Sequence, residues 1–170
     1  MTRTSLSIAG FAVALSGLVV LAGCGSSGSS TTASSSTQAA APTTTGGAAT
    51  IDVADNPKLG QVLVDSQGNT VYMFEKDESD ESYCNGSCAK VWPPVTTNGQ
   101  AKAGSGVSGK LTTLKRDDGS TQVVFDGHPL YTYVKDTDTE DAYGNGLAQF
   151  GAEWYGLRPN GQKTEGGSQS

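Results

Sequence analysis

Strong metal ligands are scarce in this chain: one histidine, His128, and three cysteines among 170 residues. A zinc site built on several imidazoles is thereby excluded, and without a C-x-x-C-H sequence so is covalent haem attachment. Charged residues are only 16% and aromatics 7%, and no run of Lys or Arg occurs. Phosphate contacts need grouped basic side chains, so nucleic acid is not expected as a partner. A net charge of −6 gives no attraction to anionic head groups. Whatever holds the chain at a membrane must then be covalent or inserted. G-x-S-x-G is missing, and no carboxylate pair is singled out for glycoside chemistry. No residue set points to a reaction. Sustained helical periodicity is missing as well. What abounds is glycine, 23 residues, with serine and threonine, a composition of turns and unstructured stretches rather than of a helical bundle.

The first residues explain how such a chain reaches a membrane. Arg3 supplies a short positive start, and Ile8 to Ala22 is apolar save for Gly10, Ser16 and Gly17. That run is too short and too broken to span a bilayer comfortably and reads as a signal-peptide core over residues 1–23. It ends in Leu21-Ala22-Gly23-Cys24, which resembles the bacterial lipobox. The resemblance implies a diacylglyceryl group on the Cys24 thiol and palmitate-type acyl chains in the membrane. Each buried methylene is worth roughly 0.8 kcal/mol, so two or three chains anchor stably where one does not. Residues 24–50, nearly all Gly, Ser, Thr and Ala after Cys24, cannot offset the entropy of ordering and read as a flexible tether. The expected location is the extracytoplasmic face of the cell membrane.

From Ile51 to residue 160 the pattern is that of short strands bounded by Gly, Asn, Asp and Pro, with a polar tail expected over 161–170. Gln61–Asp65 and Thr70–Phe74 flank an expected hairpin turn at Ser66–Asn69. Leu111–Arg116 and Thr121–Phe125 flank Asp117-Asp118-Gly119-Ser120, the strongest hairpin signal in the chain. Cys88–Trp92 has room for one helical turn before Pro93-Pro94 stops it. Val64–Asp77 aligns without gaps on Val123–Asp136, pairing Gly68 with Gly127, Tyr72 with Tyr131, Phe74 with Tyr133 and Asp77 with Asp136. Tyr83 against Tyr143 and Trp92 against Trp154 continue the echo. The expected fold is mainly β: two tandem repeats of about 60 residues, copies near 59–94 and 118–157, packed as antiparallel hairpins into one domain. On a strand Tyr72 and Phe74 share one face and Val71 and Met73 the other, so this strand belongs inside.

These residues resemble a family. Tyr72-Met73-Phe74-Glu75-Lys76-Asp77 and Tyr131-Thr132-Tyr133-Val134-Lys135-Asp136 each match Y-x-[FWY]-x-x-D, the motif of the secreted repeat of unknown function, a family of predicted bacterial lipoproteins. Cys84–Pro94, Gly127–Tyr131 and Gly144-Asn145-Gly146 ahead of Trp154 look like further pieces of it. The second-copy loop Thr137–Tyr143 departs from the pattern in lacking Pro-Gly-Asp. The resemblance implies address and architecture but brings no activity.

Several residues are candidates for chemistry. Cys84 and Cys88, outside the cytoplasm, are expected to oxidise to a disulfide across the flexible Asn85-Gly86-Ser87. The alternative is a redox-active dithiol or a copper site, with His128 and Met73 as extra ligands. His128, between Gly127 and Pro129, reads first as a turn residue. Glu75–Glu81 and Asp136–Asp141 read as solvated acidic loops; the alternative is a calcium ion relieving their mutual repulsion, with Asp136 and Asp138 among its ligands. The EF-hand template fails, since its sixth position counted from Asp136 is Asp141 and its twelfth is Leu147. Asp77 and Asp136 recur in register and read as turn caps. The expected function is a non-enzymatic binding role toward an envelope protein or a small ligand, with redox or metal handling as the alternative.

Overall fold

In the computed structural model, which describes residues 47–165, three small sheets and one helical turn form around two large cores and a smaller apolar cluster of Leu59, Val62, Val64 and Ala142. The signal peptide, Cys24, most of the tether and residues 166–170 lie outside the described residues. The strands are β1 (Thr50–Asn56), β2 (Gly60–Asp65), β3 (Tyr72–Phe74), β4 (Lys102–Ala103), β5 (Leu111–Lys115), β6 (Thr121–Phe125), β7 (His128–Pro129), β8 (Leu147–Gln149) and β9 (Ala152–Gly156), with α1 (Ser87–Val91) between β3 and β4. The sheets run β2-β1-β4, β3-β9-β8 and β5-β6-β7, antiparallel except for the β1–β4 pair. The fold is mainly β, as expected.

Turn chemistry sets the hairpins. Asp65 Oδ1 accepts the N–H groups of Gln67 and Asn69 at 2.9 and 3.0 Å, and Gly68 takes the left-handed conformation that the turn requires (φ 86°). Between β6 and β7, Asp126 and Gly127 both have positive φ, 47° and 87°, the primed turn that matches strand twist. The turn after β2 holds one residue more than that after β6, because Val71 N–H meets the Leu63 carbonyl while Leu130 N–H meets that of Val123. The gapless alignment therefore holds from Gly68 onward, but before the turn Leu63, not Val64, is the counterpart of Val123.

The copies exchange strands. The segment after α1 crosses to the second copy, where Val95 N–H donates to Leu130 and the Val95 carbonyl accepts from Val123, both at 2.8 Å. In return β9 pairs with β3, and Leu63 N–H donates to Leu157 at 2.8 Å. At the centre Tyr72 N–H donates to Tyr131 at 2.8 Å and Tyr131 N–H to Tyr72 at 3.0 Å, as an approximate two-fold relation requires. Each hairpin is thus completed by the other copy, which is why a lone copy has too little to bury.

Alternation on β3 divides the cores. Val71 and Met73 enter an aliphatic core with Ile51, Leu63, Leu130 and Leu157. Tyr72 and Phe74 enter an aromatic one with Trp92, Tyr131, Tyr133 and Trp154. Full burial of one such side chain is worth roughly 1.5–3 kcal/mol, so this cluster is a principal source of stability. Order also reaches beyond the expected limits. Ala49 N–H donates to Thr97 Oγ1 at 2.9 Å, within what reads as tether. Lys163 bridges to Leu157, and Thr164 is fully buried with its hydroxyl on Asn145 Oδ1 at 2.5 Å, within what reads as tail.

Candidate functional site

The aromatic core is built by reciprocity. Phe74 of the first copy stacks on Trp154 of the second (4.1 Å between centroids, 10° between planes), and Tyr133 of the second stacks on Trp92 of the first (4.3 Å, 25°). The two indoles stack on each other at 3.9 Å and 5°, completing a column of four rings. Tyr72 meets Trp92 edge-on at 5.4 Å, and Tyr131 meets Trp154 edge-on at 5.2 Å. Offset-stacked and edge-to-face pairs add about 0.5–1.5 kcal/mol each beyond their buried area. Both indole N–H groups end on Gln149, one on its side-chain oxygen at 3.0 Å and one on its carbonyl at 3.1 Å. The aromatic positions of the motif are spent on packing.

The aspartates of the motif are spent crosswise. Tyr131 donates its hydroxyl to Asp77 Oδ2 at 2.5 Å, and Tyr72 donates to Asp136 Oδ2. The second oxygen of each carboxylate caps its own loop, Asp77 Oδ1 accepting from Tyr83 N–H at 2.7 Å and Asp136 Oδ1 from Tyr143 N–H at 2.9 Å. The expected capping role is therefore present, and the bond to the other copy's tyrosine is additional to it. Burial pushes the Asp77 carboxyl up to about 6, even though Tyr131, the Tyr83 N–H and the Arg116 charge all favour the anion. Burial likewise raises Asp136. It also raises both tyrosines, with the facing carboxylate acting in the same direction.

The copies differ at one corner. Where the second copy has Ala142, the first has Ser82, whose Oγ lies 2.6 Å from the Tyr131 hydroxyl. Since that hydroxyl already donates to Asp77, Ser82 donates to it and is free to accept from Arg116. Arg116 is 6% exposed and reaches Ser82 Oγ at 2.5 Å, Gln122 Oε1 at 2.6 Å, the Cys84 carbonyl at 2.7 Å and Asn85 Oδ1 at 2.8 Å. Its Nε is buried without a hydrogen bond and stands 3.7 Å from Asp118. Over this guanidinium opens a polar cleft of about 240 Å³, walled by Asp80, Glu81, Asn85, Lys115 and Asp117. A buried charge, a carboxyl shifted toward neutrality and an adjoining concavity together make this corner the candidate functional site.

The other sequence candidates are distributed as follows. Cys84 and Cys88 form a disulfide, both sulfurs buried in the aromatic core. Met73 lies in the aliphatic core, on the opposite face of β3, so the copper ligand set imagined from the sequence is not brought together. His128 pairs with Phe125 in β7, and burial lowers its pKa. Asp136 is occupied by Tyr72 and Tyr143, and the Asp138 N–H donates to Asp141. Among the described residues no three His, Cys, Asp or Glu side chains converge as a metal would need. Sequence reading missed Arg116, Ser82 and Gln122. Their one trace was the replacement of Ser82 by Ala142 within the repeat.

A mainly β domain of two copies, interlocked through Y-x-[FWY]-x-x-D, is the class that this geometry defines. The family described as a secreted repeat of unknown function matches residues 53–96 and 112–157, and the chain belongs to it. No curated protein and no solved structure matches the chain. Among the described residues no helix is long and apolar enough to cross a membrane.

Proposed function

We propose that the chain is a binding module of the cell envelope, held at the extracytoplasmic face of the membrane by a lipid on Cys24, that takes a small polar ligand in the cleft over Arg116. The observation that carries this reading is the broken symmetry. The Tyr131–Asp77 pair is surrounded by Ser82, Arg116 and an open cleft, whereas at the Tyr72–Asp136 pair Ala142 stands where Ser82 does. The family's description as secreted supports an extracytoplasmic site of action. The anchor itself rests on the sequence Leu21-Ala22-Gly23-Cys24.

Two experiments test the proposal. Labelling of growing cells with a palmitate analogue should mark the wild-type chain and not Cys24→Ser, and the variant should leave the membrane fraction. An amide chemical-shift screen with small polar compounds should move Ser82, Asn85, Lys115 and Asp117 together, and Asp80→Asn with Asp117→Asn should weaken the response. Hits that cluster elsewhere would overturn the cleft as the site. Stoichiometric copper(I) bound after reduction, and lost in Cys84→Ser, would replace ligand binding by metal handling.

A further inference from the structure

We infer that Asn98–Gly99 is the position at which this chain modifies itself, by deamidation. Asparagine followed by glycine is the sequence most prone to this reaction, because a backbone nitrogen that carries no neighbouring side chain attacks with least hindrance. The chain has four such pairs: Asn85–Gly86, Asn98–Gly99, Asn145–Gly146 and Asn160–Gly161. In the reaction the Gly99 nitrogen bonds to Asn98 Cγ, the Cγ–Nδ2 bond breaks, and the nitrogen's proton leaves with the side-chain amine as ammonia. Water then opens either carbonyl bond of the cyclic imide, giving aspartate or isoaspartate. No oxidant or cofactor is required, only solvent.

The fold protects three of the four. Asn85 is held at both ends, its Oδ1 by Arg116 at 2.8 Å and its Nδ2 on the Ser82 carbonyl at 3.1 Å. Asn145 is buried, its Oδ1 accepts from Gly156 N–H and Thr164 Oγ1, and the would-be attacking nitrogen of Gly146 donates to Trp154 at 2.8 Å. Asn160 is closed in a turn with Gln162, and Gly161 N–H donates to Arg158 at 3.0 Å. Asn98 and Gly99 are both exposed. Among the described residues the Asn98 side chain makes no hydrogen bond, and the Gly99 N–H donates to none. The loop is held through other atoms, the Asn98 N–H donating to the Gly47 carbonyl at 3.3 Å and Thr97 Oγ1 donating to the Gly99 carbonyl at 3.1 Å, so the reacting side chain and nitrogen are left unheld. The product adds a negative charge beside Thr97, which receives the Ala49 N–H and so holds the start of β1.

The test is a peptide map of the full chain aged at mildly alkaline pH, folded and in denaturant. In the folded protein Asn98 should convert to aspartate and isoaspartate first. The other three should lag by at least about tenfold, the factor that one broken hydrogen bond on the way to the transition state implies. In denaturant the four rates should converge. An Asn98 rate no faster than that of Asn160 in the folded chain would overturn the inference. So would an equal spread of rates in denaturant, which would place the cause in local sequence instead of the fold.

Discussion

The Tyr131 hydroxyl of the second copy donates to the Asp77 carboxylate of the first at 2.5 Å, and Tyr72 donates to Asp136 in the reverse sense. Each motif thus supplies a donor to its partner and an acceptor for it. The reciprocal backbone bonds of Tyr72 and Tyr131 place the four side chains around one approximate two-fold relation. Two copies in one chain satisfy the motif completely, whereas a single copy would leave a tyrosine and a carboxylate without partners.

Asp77 should make stability depend on pH. Its folded value, about 6, lies above the ordinary 3.8, so the folded chain holds a proton that the unfolded chain releases between those values. The contribution is therefore fully present below pH 3.8 and is lost as pH rises through about 6. In Asp77→Asn this titration is gone. Urea unfolding at acidic and neutral pH should show the wild type losing about 1–2 kcal/mol relative to the variant over that interval, a figure reduced for partial exposure of the group. A constant difference between the two would contradict the assignment.

The stacked indoles should dominate stability. Trp92→Ala or Trp154→Ala removes the centre of the ring column and should cost about 3–5 kcal/mol, a large share of the roughly 5–15 kcal/mol that stabilises a domain. Loss of near-ultraviolet dichroism at ambient temperature checks this.

Gly144 should not tolerate a side chain. A Cβ there would stand 2.8 Å from both the Trp92 and Tyr72 rings, which are packed and cannot retreat. Gly144→Ala should cost about 1–3 kcal/mol, while Gly151→Ala is free of such contacts and should cost only its backbone strain. Thermal midpoints of the two variants separate these cases.

The disulfide should matter much less. Cys84 and Cys88 are four residues apart, so the bridge removes little unfolded-state entropy. Cys84→Ala with Cys88→Ala should cost about 2 kcal/mol or less and leave the fold intact. Complete unfolding of the pair variant would show that the loop, with its Arg116 contacts, depends on the bridge.

Much of the fold was legible because it is local. Period-two alternation at Val71–Phe74 identified the two faces of β3, and the Asp-Gly turn at Asp117–Ser120 identified the β5–β6 hairpin. The recurrence of Y-x-[FWY]-x-x-D identified the two copies. The exchange of strands was not legible, since Val95 and Leu157 pair with residues far away in sequence and carry no mark of it. β1 was missed because Thr50-Ile51-Asp52-Val53-Ala54-Asp55-Asn56 is half polar and gains its order by pairing with β2. Arg116 was missed because a lone arginine beside a hairpin turn reads as a surface charge, and only the chain's return through Ser82 and Asn85 buries it.

The crosswise motif is tested most directly by double-mutant cycles on unfolding free energy. Tyr72→Phe combined with Asp136→Asn should show a coupling of about 1 kcal/mol or more, as expected for a buried hydrogen bond to a carboxylate. Tyr72→Phe combined with Asp77→Asn, both in one copy, should be additive within about 0.5 kcal/mol. Coupling within the copy and additivity across the copies would contradict the account.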